Sequence, residues 1–173
     1  LARYWIDPRF FFFDDMQTGV IGQALEIGRA LAHGEWPLLS NSSWVATAFA
    51  GEMQYGIFSP FVLAYDLLVY HLDMSLAAST TMLALLHLAV TAAGAYLLAR
   101  DYELPPALAV VVAFSASMNG WLIMWAAKTW FTLLTSFAWL PWYWLGMRRL
   151  SRAPFSPRAF LGTAIALYLL ITV

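Results

Sequence analysis

The amino-acid sequence predicts an all-α, polytopic membrane protein. Of its residues 62% are hydrophobic and only 11% are charged, whereas soluble domains carry about 25% charged residues. The mean hydropathy is +0.68, and long apolar runs alternate with short polar or basic loops. A net charge of −1 offers no surface for nucleic acid, and the lack of cysteine excludes disulfides, thiolate metal ligands and thiol nucleophiles.

The chain divides into a polar, turn-rich first part and an apolar second part. We predict that residues 1–75 form a first extracytoplasmic loop with interfacial helices, and that residues 76–173 form transmembrane helices. The chain begins at Leu1 and stops at Val173 within an apolar run. Helices rarely end in this way without a cap or a charge. We therefore expect a fragment of a longer protein, inactive on its own.

The first part holds an aromatic lead-in and two predicted surface helices. Residues 1–13 mix charges with aromatic rings, which is typical of a membrane–water interface. Residues 16–33 carry an apolar stripe at helical spacing and a regular polar face, so this helix should lie on the membrane. Ser59-Pro60 reads as an N-cap and first helical position. The helix that follows, 60–72, is a second interfacial helix or, alternatively, a short transmembrane one.

Four stretches of the second part are long and apolar enough for membrane spans, although the last is only begun. They are residues 76–98, 107–124, 130–147 and 159–173. The first span carries a stripe of small and polar residues, a pattern that favours contact with another helix. That stripe consists of Thr80, Ala84, His87, Thr91 and Gly94. Pro141 predicts a kink in the third span.

Basic residues set the predicted orientation. The loops 100–106 and 148–158 lie on the same side by parity and hold five of the nine basic residues. The positive-inside rule makes this side cytoplasmic. Residues 14–59 and the turn 125–129 then face outward from a bacterial cytoplasmic (inner) membrane.

Adjacent carboxylates are the first candidates for chemistry. Asp14 and Asp15 lie beside the predicted membrane surface. Such groups can act as a general base, orient a hydroxyl or bind a divalent cation such as Mg²⁺ or Mn²⁺. The alternative is helix capping by Asp15. In the same part of the chain, Gln17, Glu52, Gln54 and Tyr55 are predicted to line a substrate or metal site, with Glu52 as a third metal ligand. The alternative for Glu52, Gln54 and Tyr55 is a solvated loop.

Two further residues stand out in the apolar part. Lys128 is the one basic residue of the predicted outer turn and could meet a phosphate or serve as an interfacial anchor. His87 lies within a predicted span, where a histidine is a functional candidate. It could ligate haem or a pigment, but an interhelical hydrogen bond is the commoner role.

The order of these motifs resembles the GT-C superfamily of integral-membrane glycosyltransferases, and most closely its bacterial YfhO-like branch. The resemblance rests on short pieces that cover most of the chain. They are Asp14-Asp15-Met16-Gln17, Gly34-Glu35-Trp36-Pro37-Leu38, Gln54-Tyr55-Gly56-Ile57-Phe58-Ser59-Pro60, His87 with Tyr96-Leu97-Leu98-Ala99-Arg100 behind it, and Trp139-Leu140-Pro141-Trp142.

This resemblance implies sugar transfer from a polyprenyl-phosphate donor to an extracytoplasmic lipid, polymer or protein. The implied base is an acidic residue of the first outer loop, which Asp15 or, second, Asp14 would match. A cation near the outer face would hold the donor phosphate, and Lys128 is the candidate. Two other functions stay open: a non-catalytic subunit of a larger membrane complex, bound to pigment or haem through His87, and a transporter or flippase. Broken helices in paired repeats would indicate a transporter, and the sequence has no internal repeat.

Overall fold

A computed structural model describes residues 7–40, 48–49, 56–152 and 156–172. This part of the chain contains six α-helices and no β-strand, which confirms the all-α prediction. The helices are α1 (Ile21–Ala32), α2 (Pro60–Leu72), α3 (Leu76–Asp101), α4 (Pro106–Ser117), α5 (Phe131–Arg152) and α6 (Pro157–Ile171). Two π-helical turns accompany them, Met16–Val20 before α1 and Leu122–Ala126 after α4.

Helices α3 to α6 pack side by side. α3 contacts both α4 and α5, and α5 contacts α6. The predicted stripe of small and polar residues on α3 is buried, as expected for a helix–helix contact. At Gly94 a Cβ atom would lie 2.6 Å from the Trp142 indole. The Trp142 indole donates a hydrogen bond to the Val90 carbonyl (2.9 Å), so glycine allows α3 and α5 to approach closely.

Helices α1 and α2 form a separate hairpin over one end of these helices. Ile21 and Ala24 of α1 share a buried cluster with Val62 of α2, Leu83 of α3 and Phe131 at the start of α5. The predicted continuous helix 16–33 is therefore a π-helical turn followed by α1. Ser59 occupies the predicted N-cap position of α2, but its hydroxyl makes no capping hydrogen bond.

Two helical stretches within the described ranges are long and apolar enough to cross a membrane: α3, with 26 residues, and Pro106–Ala126, with 21. The second contains the stretch predicted at 107–124, and its helix is interrupted at residues 118–119. The Asn119 side chain accepts a hydrogen bond from the Leu122 amide (2.9 Å) and donates one to the Ala116 carbonyl (2.8 Å). These bonds compete with the helical ladder and end α4.

One side of α4 is exposed and apolar. Its five large side chains there are 39–65% exposed: Leu108, Val110, Val111, Val112 and Phe114. Isolated apolar residues are normal on a protein surface, but a contiguous patch indicates contact with lipid or another protein. The exposed apolar face of α4 is consistent with the 62% of hydrophobic residues in the chain.

Candidate functional site

The segment before α1 packs against the end of the bundle. Phe10 and Phe11 are buried with Leu88 of α3, Leu122 of the second π-helical turn and Leu134 of α5. These two rings lie in the protein interior, which corrects their predicted place at the membrane surface. The part of the lead-in that comes before residue 7 lies outside the described residues. Packing of the phenylalanines fixes the acidic pair that follows them.

The carboxylates of Asp14 and Asp15 are exposed and make no capping bond. Asp14 has a φ of 51°, a left-handed conformation that aspartate and asparagine tolerate better than most residues. Its backbone carbonyl, not its carboxylate, accepts from the amides of Gln17 and Thr18 (both 2.9 Å). The alternative of capping by the Asp15 side chain is therefore wrong. Both carboxylates remain open to a ligand.

Lys128 lies next to this acidic segment. Its Nζ is 4.5 Å from the centre of the Phe13 ring and 5.1 Å from that of Phe10. A cation over an aromatic face is held by the negative charge density of the ring. Among the described residues no carboxylate lies within ion-pair distance of Lys128. The Phe10 and Phe13 rings thus position the ammonium group, and its positive charge can still bind an anion.

The remaining predicted site residues are placed only in part. Gln17 is exposed on the π-helical turn that follows the acidic pair. Glu52, Gln54 and Tyr55 lie outside the described residues, so their approach to Asp14 and Asp15 stays a prediction. Within residues 7–40, 48–49, 56–152 and 156–172, no three histidine, aspartate or glutamate side chains are close enough to hold a metal ion.

The basic loops lie at the opposite end of the helices. Asp101, the last residue of α3, accepts hydrogen bonds from Arg148 Nε (2.8 Å) and Arg149 Nε (3.1 Å), and Arg152 lies 3.7 Å away. The described parts of the loops 100–106 and 148–158 therefore share one end, as their parity predicted. Leu88, which packs with Phe10 and Phe11, precedes Asp101 by thirteen residues on α3. This is about 20 Å at 1.5 Å per residue, so the arginine cluster lies apart from the acidic segment.

His87 is fully buried and bonds within its own helix. Its Nδ1 lies 2.9 Å from the Leu83 carbonyl, which can only accept, so Nδ1 donates. Nε2 is buried without a partner, and the predicted interhelical hydrogen bond is therefore wrong. The rings of Phe61 and Phe131 lie edge-on to the imidazole at centroid distances of 5.2 and 5.7 Å. A haem or pigment could reach Nε2 only if these rings moved.

The structure buries two polar side-chain atoms whose burial the sequence did not predict. Helical spacing predicts that Asp66 shares one face of this interfacial helix with Val62, Tyr70 and Asp73. Asp66 is instead 2% exposed, and its Oδ2 has no partner. Gln23 Oε1 of α1 is also buried and unpaired, and both residues line one cavity of about 10 Å³. This volume is about that needed for one water molecule.

Burial raises the pKa of the Asp66 carboxyl well above its ordinary value of 3.8. Above pH 3.8 the unfolded chain releases this proton while the folded chain keeps it. The free energy of unfolding should therefore fall as the pH rises, by at most about 1.4 kcal/mol per pH unit, until the raised pKa is passed. Asp66→Asn should remove this slope in thermal unfolding measured in detergent. Asp73→Asn, at an exposed position, should retain it; equal slopes in the two variants would contradict the assignment.

No protein-family model, no curated protein and no solved structure matches this chain. The fold defines only a class: a helical protein with two stretches that could cross a membrane.

Proposed function

We propose that this chain is the N-terminal part of a GT-C-like membrane glycosyltransferase that moves a sugar from a polyprenyl-phosphate donor to an extracytoplasmic lipid, polymer or protein. One observation supports this most directly. Exposed, uncapped Asp14 and Asp15 follow a phenylalanine whose ring holds Lys128. A candidate base and a candidate phosphate-binding cation therefore share one end of the helices. The arginine cluster around Asp101 occupies the other end.

In the proposed reaction, the Asp15 carboxylate takes the proton of the acceptor hydroxyl. The hydroxyl oxygen then bonds to the anomeric carbon of the donor sugar, and the bond from that carbon to the phosphate oxygen breaks. The departing polyprenyl phosphate carries the bonding electron pair. Lys128 stabilises its negative charge, as preorganised cations do in phosphoryl-linked leaving groups. Gln17, whose backbone amide bonds to the Asp14 carbonyl, orients the acceptor hydroxyl in this proposal.

The proposal also includes an orientation of the helices in the membrane. Helices α3, α4, α5 and α6 cross a bacterial cytoplasmic membrane, with residues 14–59 outside and the loops 100–106 and 148–158 in the cytoplasm. The α1–α2 hairpin then lies over the outer ends of the spans, beside a lipid-borne donor. Its exposed apolar residues, Leu68 and Leu72 of α2, support a position at the membrane surface.

Replacement of Lys128 tests the phosphate-binding part of the proposal. Methionine removes the charge yet can still pack on the Phe10 and Phe13 rings, so the fold should persist. A hydrogen bond to a charged group contributes about 1.5–3 kcal/mol, so Lys128→Met should lower kcat/KM for the donor by about 10- to 100-fold. Lys128→Arg should lose less, because arginine also binds phosphate.

The measurement is transfer of radiolabelled hexose from a panel of undecaprenyl-phosphate hexoses by the full-length protein in liposomes. A loss in kcat/KM for the donor, with little change in the KM of the acceptor, would support the assignment. If the wild-type protein transfers none of the hexoses, the proposed function is wrong. If transfer occurs and Lys128→Met equals wild type, only the role of Lys128 is wrong.

A further inference from the structure

A cavity of about 280 Å³ opens between α3, α5 and α6, away from the acidic segment. Its walls are mostly apolar, with Leu97 of α3, Trp139 and Trp142 of α5, and Gly162 of α6 among them. Arg149 and Arg158 also line it. α5 ends at Arg152 and α6 begins at Pro157, so both cavity arginines lie at the end where these helices meet. The cavity is thus charged at its mouth and apolar further in.

The depth of the apolar part follows from helix geometry. Trp139 precedes Arg149 by ten residues on α5, a distance of about 15 Å along the helix. Leu97 lies one turn before the carboxyl end of α3 and forms part of the cavity wall. A ligand that fills such a space has an anionic head and an apolar tail. This is the shape of a membrane phospholipid.

Within the described part of the chain, the charge at the mouth is only partly neutralised. The loops 100–106 and 148–158 hold five arginines against two acidic residues, a net charge of +3. Asp101 is the carboxylate shared by Arg148, Arg149 and Arg152. Arg149 uses its Nε in that contact, which leaves its terminal NH₂ groups free to donate. Arg158 makes no ion pair within the described part of the chain.

We propose that this cavity binds an anionic phospholipid, with its phosphate between Arg149 and Arg158 and one acyl chain along Trp139 and Trp142. Basic pockets between membrane helices on the cytoplasmic side are suited to anionic headgroups. Guanidinium groups bind phosphate through paired N–H donors. This site is independent of the proposed sugar transfer, because it lies at the opposite end of the helices and needs none of the same residues.

Gly162 provides a way to close the cavity without disturbing the fold. A Cβ atom at Gly162 would have no heavy atom within 4 Å, so a larger side chain has room. The neighbouring Gly146 is different, because a Cβ atom there would strike Thr163 across the α5–α6 contact. Gly162→Leu should therefore fill the apolar part of the cavity while α5 and α6 stay packed. Gly22→Leu, also at a helical glycine with open space but on α1, is the matched control.

The experiment measures thermal unfolding of the full-length, delipidated protein in dodecyl maltoside as lipid is added. Dioleoyl phosphatidylglycerol should raise the melting temperature, since a ligand that binds only the folded state stabilises it. Dioleoyl phosphatidylcholine, which has no net charge, should raise it much less. Inorganic phosphate should have no effect, because it lacks the acyl chain. Native mass spectrometry should show phosphatidylglycerol retained on the wild-type protein and lost from Gly162→Leu.

Matched arginine variants separate a specific site from general surface charge. Arg158→Gln should weaken the apparent affinity for phosphatidylglycerol by about tenfold or more, the loss of one charge-assisted contact. Arg158→Lys should restore part of it. Arg152→Gln removes the same charge at the same end of the helices but does not line the cavity, so its affinity should stay close to that of wild type.

Three results would each overturn the lipid site, and a fourth is given by a competing occupant of the cavity. The first is equal stabilisation by phosphatidylglycerol and phosphatidylcholine, and the second is equal weakening in Arg158→Gln and Arg152→Gln. The third is a Gly162→Leu protein with an unchanged response to lipid. If another part of the chain or a second copy fills the cavity, Gly162→Leu will lower the melting temperature without lipid and phosphatidylglycerol will have no effect. That outcome also contradicts the proposal.

Discussion

Asp15→Asn is expected to lower the kcat of sugar transfer by about 10²- to 10⁴-fold, the usual contribution of a positioned general base. Asparagine has nearly the same shape as aspartate and can still hydrogen-bond, but it cannot accept a proton. Because the Asp15 side chain makes no capping bond, the substitution removes no structural contact of the helix start. The loss should appear in kcat with the KM of the donor almost unchanged, which distinguishes Asp15 from Lys128.

The role of Asp14 can be tested against Asp73, an aspartate in a similar backbone conformation. Asp14 and Asp73 both have left-handed backbone conformations, with φ of 51° and 46°, and both side chains are exposed. Asparagine adopts this conformation readily, so Asp→Asn costs the backbone little at either position. Asp14→Asn should reduce transfer if the acidic pair acts together on the acceptor, whereas Asp73→Asn should leave it unchanged. Full transfer by the Asp14→Asn, Asp15→Asn double variant would exclude the pair as catalytic residues.

Much of the helical framework could be predicted because its ends carry chemical signals. α2 begins at Pro60, directly after Ser59, as predicted. α6 begins at Pro157, directly after Ser156 and two residues before the predicted start at 159, so the same signal was present there but was not used. Proline at the first helical position fixes a helix start in the sequence itself. The buried stripe of α3 could be predicted for a related reason, since small side chains at helical spacing serve close packing. The common end of the two basic loops followed from counting the spans.

Other features depend on contacts between distant parts of the chain. Asp66 lies on a face that spacing alone presents as polar, and it is buried only because α1 packs on α2. The contact of Lys128 with Phe13 joins residues far apart in sequence, so no local pattern contains it. Asn119 did carry a signal: a side chain that can bond to nearby backbone favours a break in a helix. Gln23 has no comparable local signal for its burial.

The α1–α2 contact depends on one glycine. A Cβ atom at Gly28 would lie 2.3 Å from the Asp66 carbonyl oxygen and 2.8 Å from the Tyr70 Cβ. These are a backbone atom and the first side-chain atom, which cannot rotate away. Gly28→Ala must therefore separate the two helices. We expect it to lower the free energy of unfolding by about 1–3 kcal/mol, the usual cost of overpacking, or by more.

Gly22→Ala on the same helix is the control for this prediction. A Cβ atom at Gly22 would meet no heavy atom within 4 Å, and alanine is a better helix former than glycine by about 1 kcal/mol. Gly22→Ala should therefore stabilise the protein slightly in thermal unfolding, opposite in sign to Gly28→Ala. If both variants behave alike, the close contact between α1 and α2 does not determine stability.

Gly28 also connects the fold with the proposed chemistry. The acidic pair is joined to α1 through the five-residue π-helical turn Met16–Val20, so displacement of α1 would move Asp15 relative to Lys128. Since a small misplacement of a catalytic group can cost about 100-fold in rate, Gly28→Ala should reduce transfer by more than its effect on the folded fraction explains. Gly28→Ala protein that is folded at the assay temperature and fully active would show that the hairpin does not position the acidic pair.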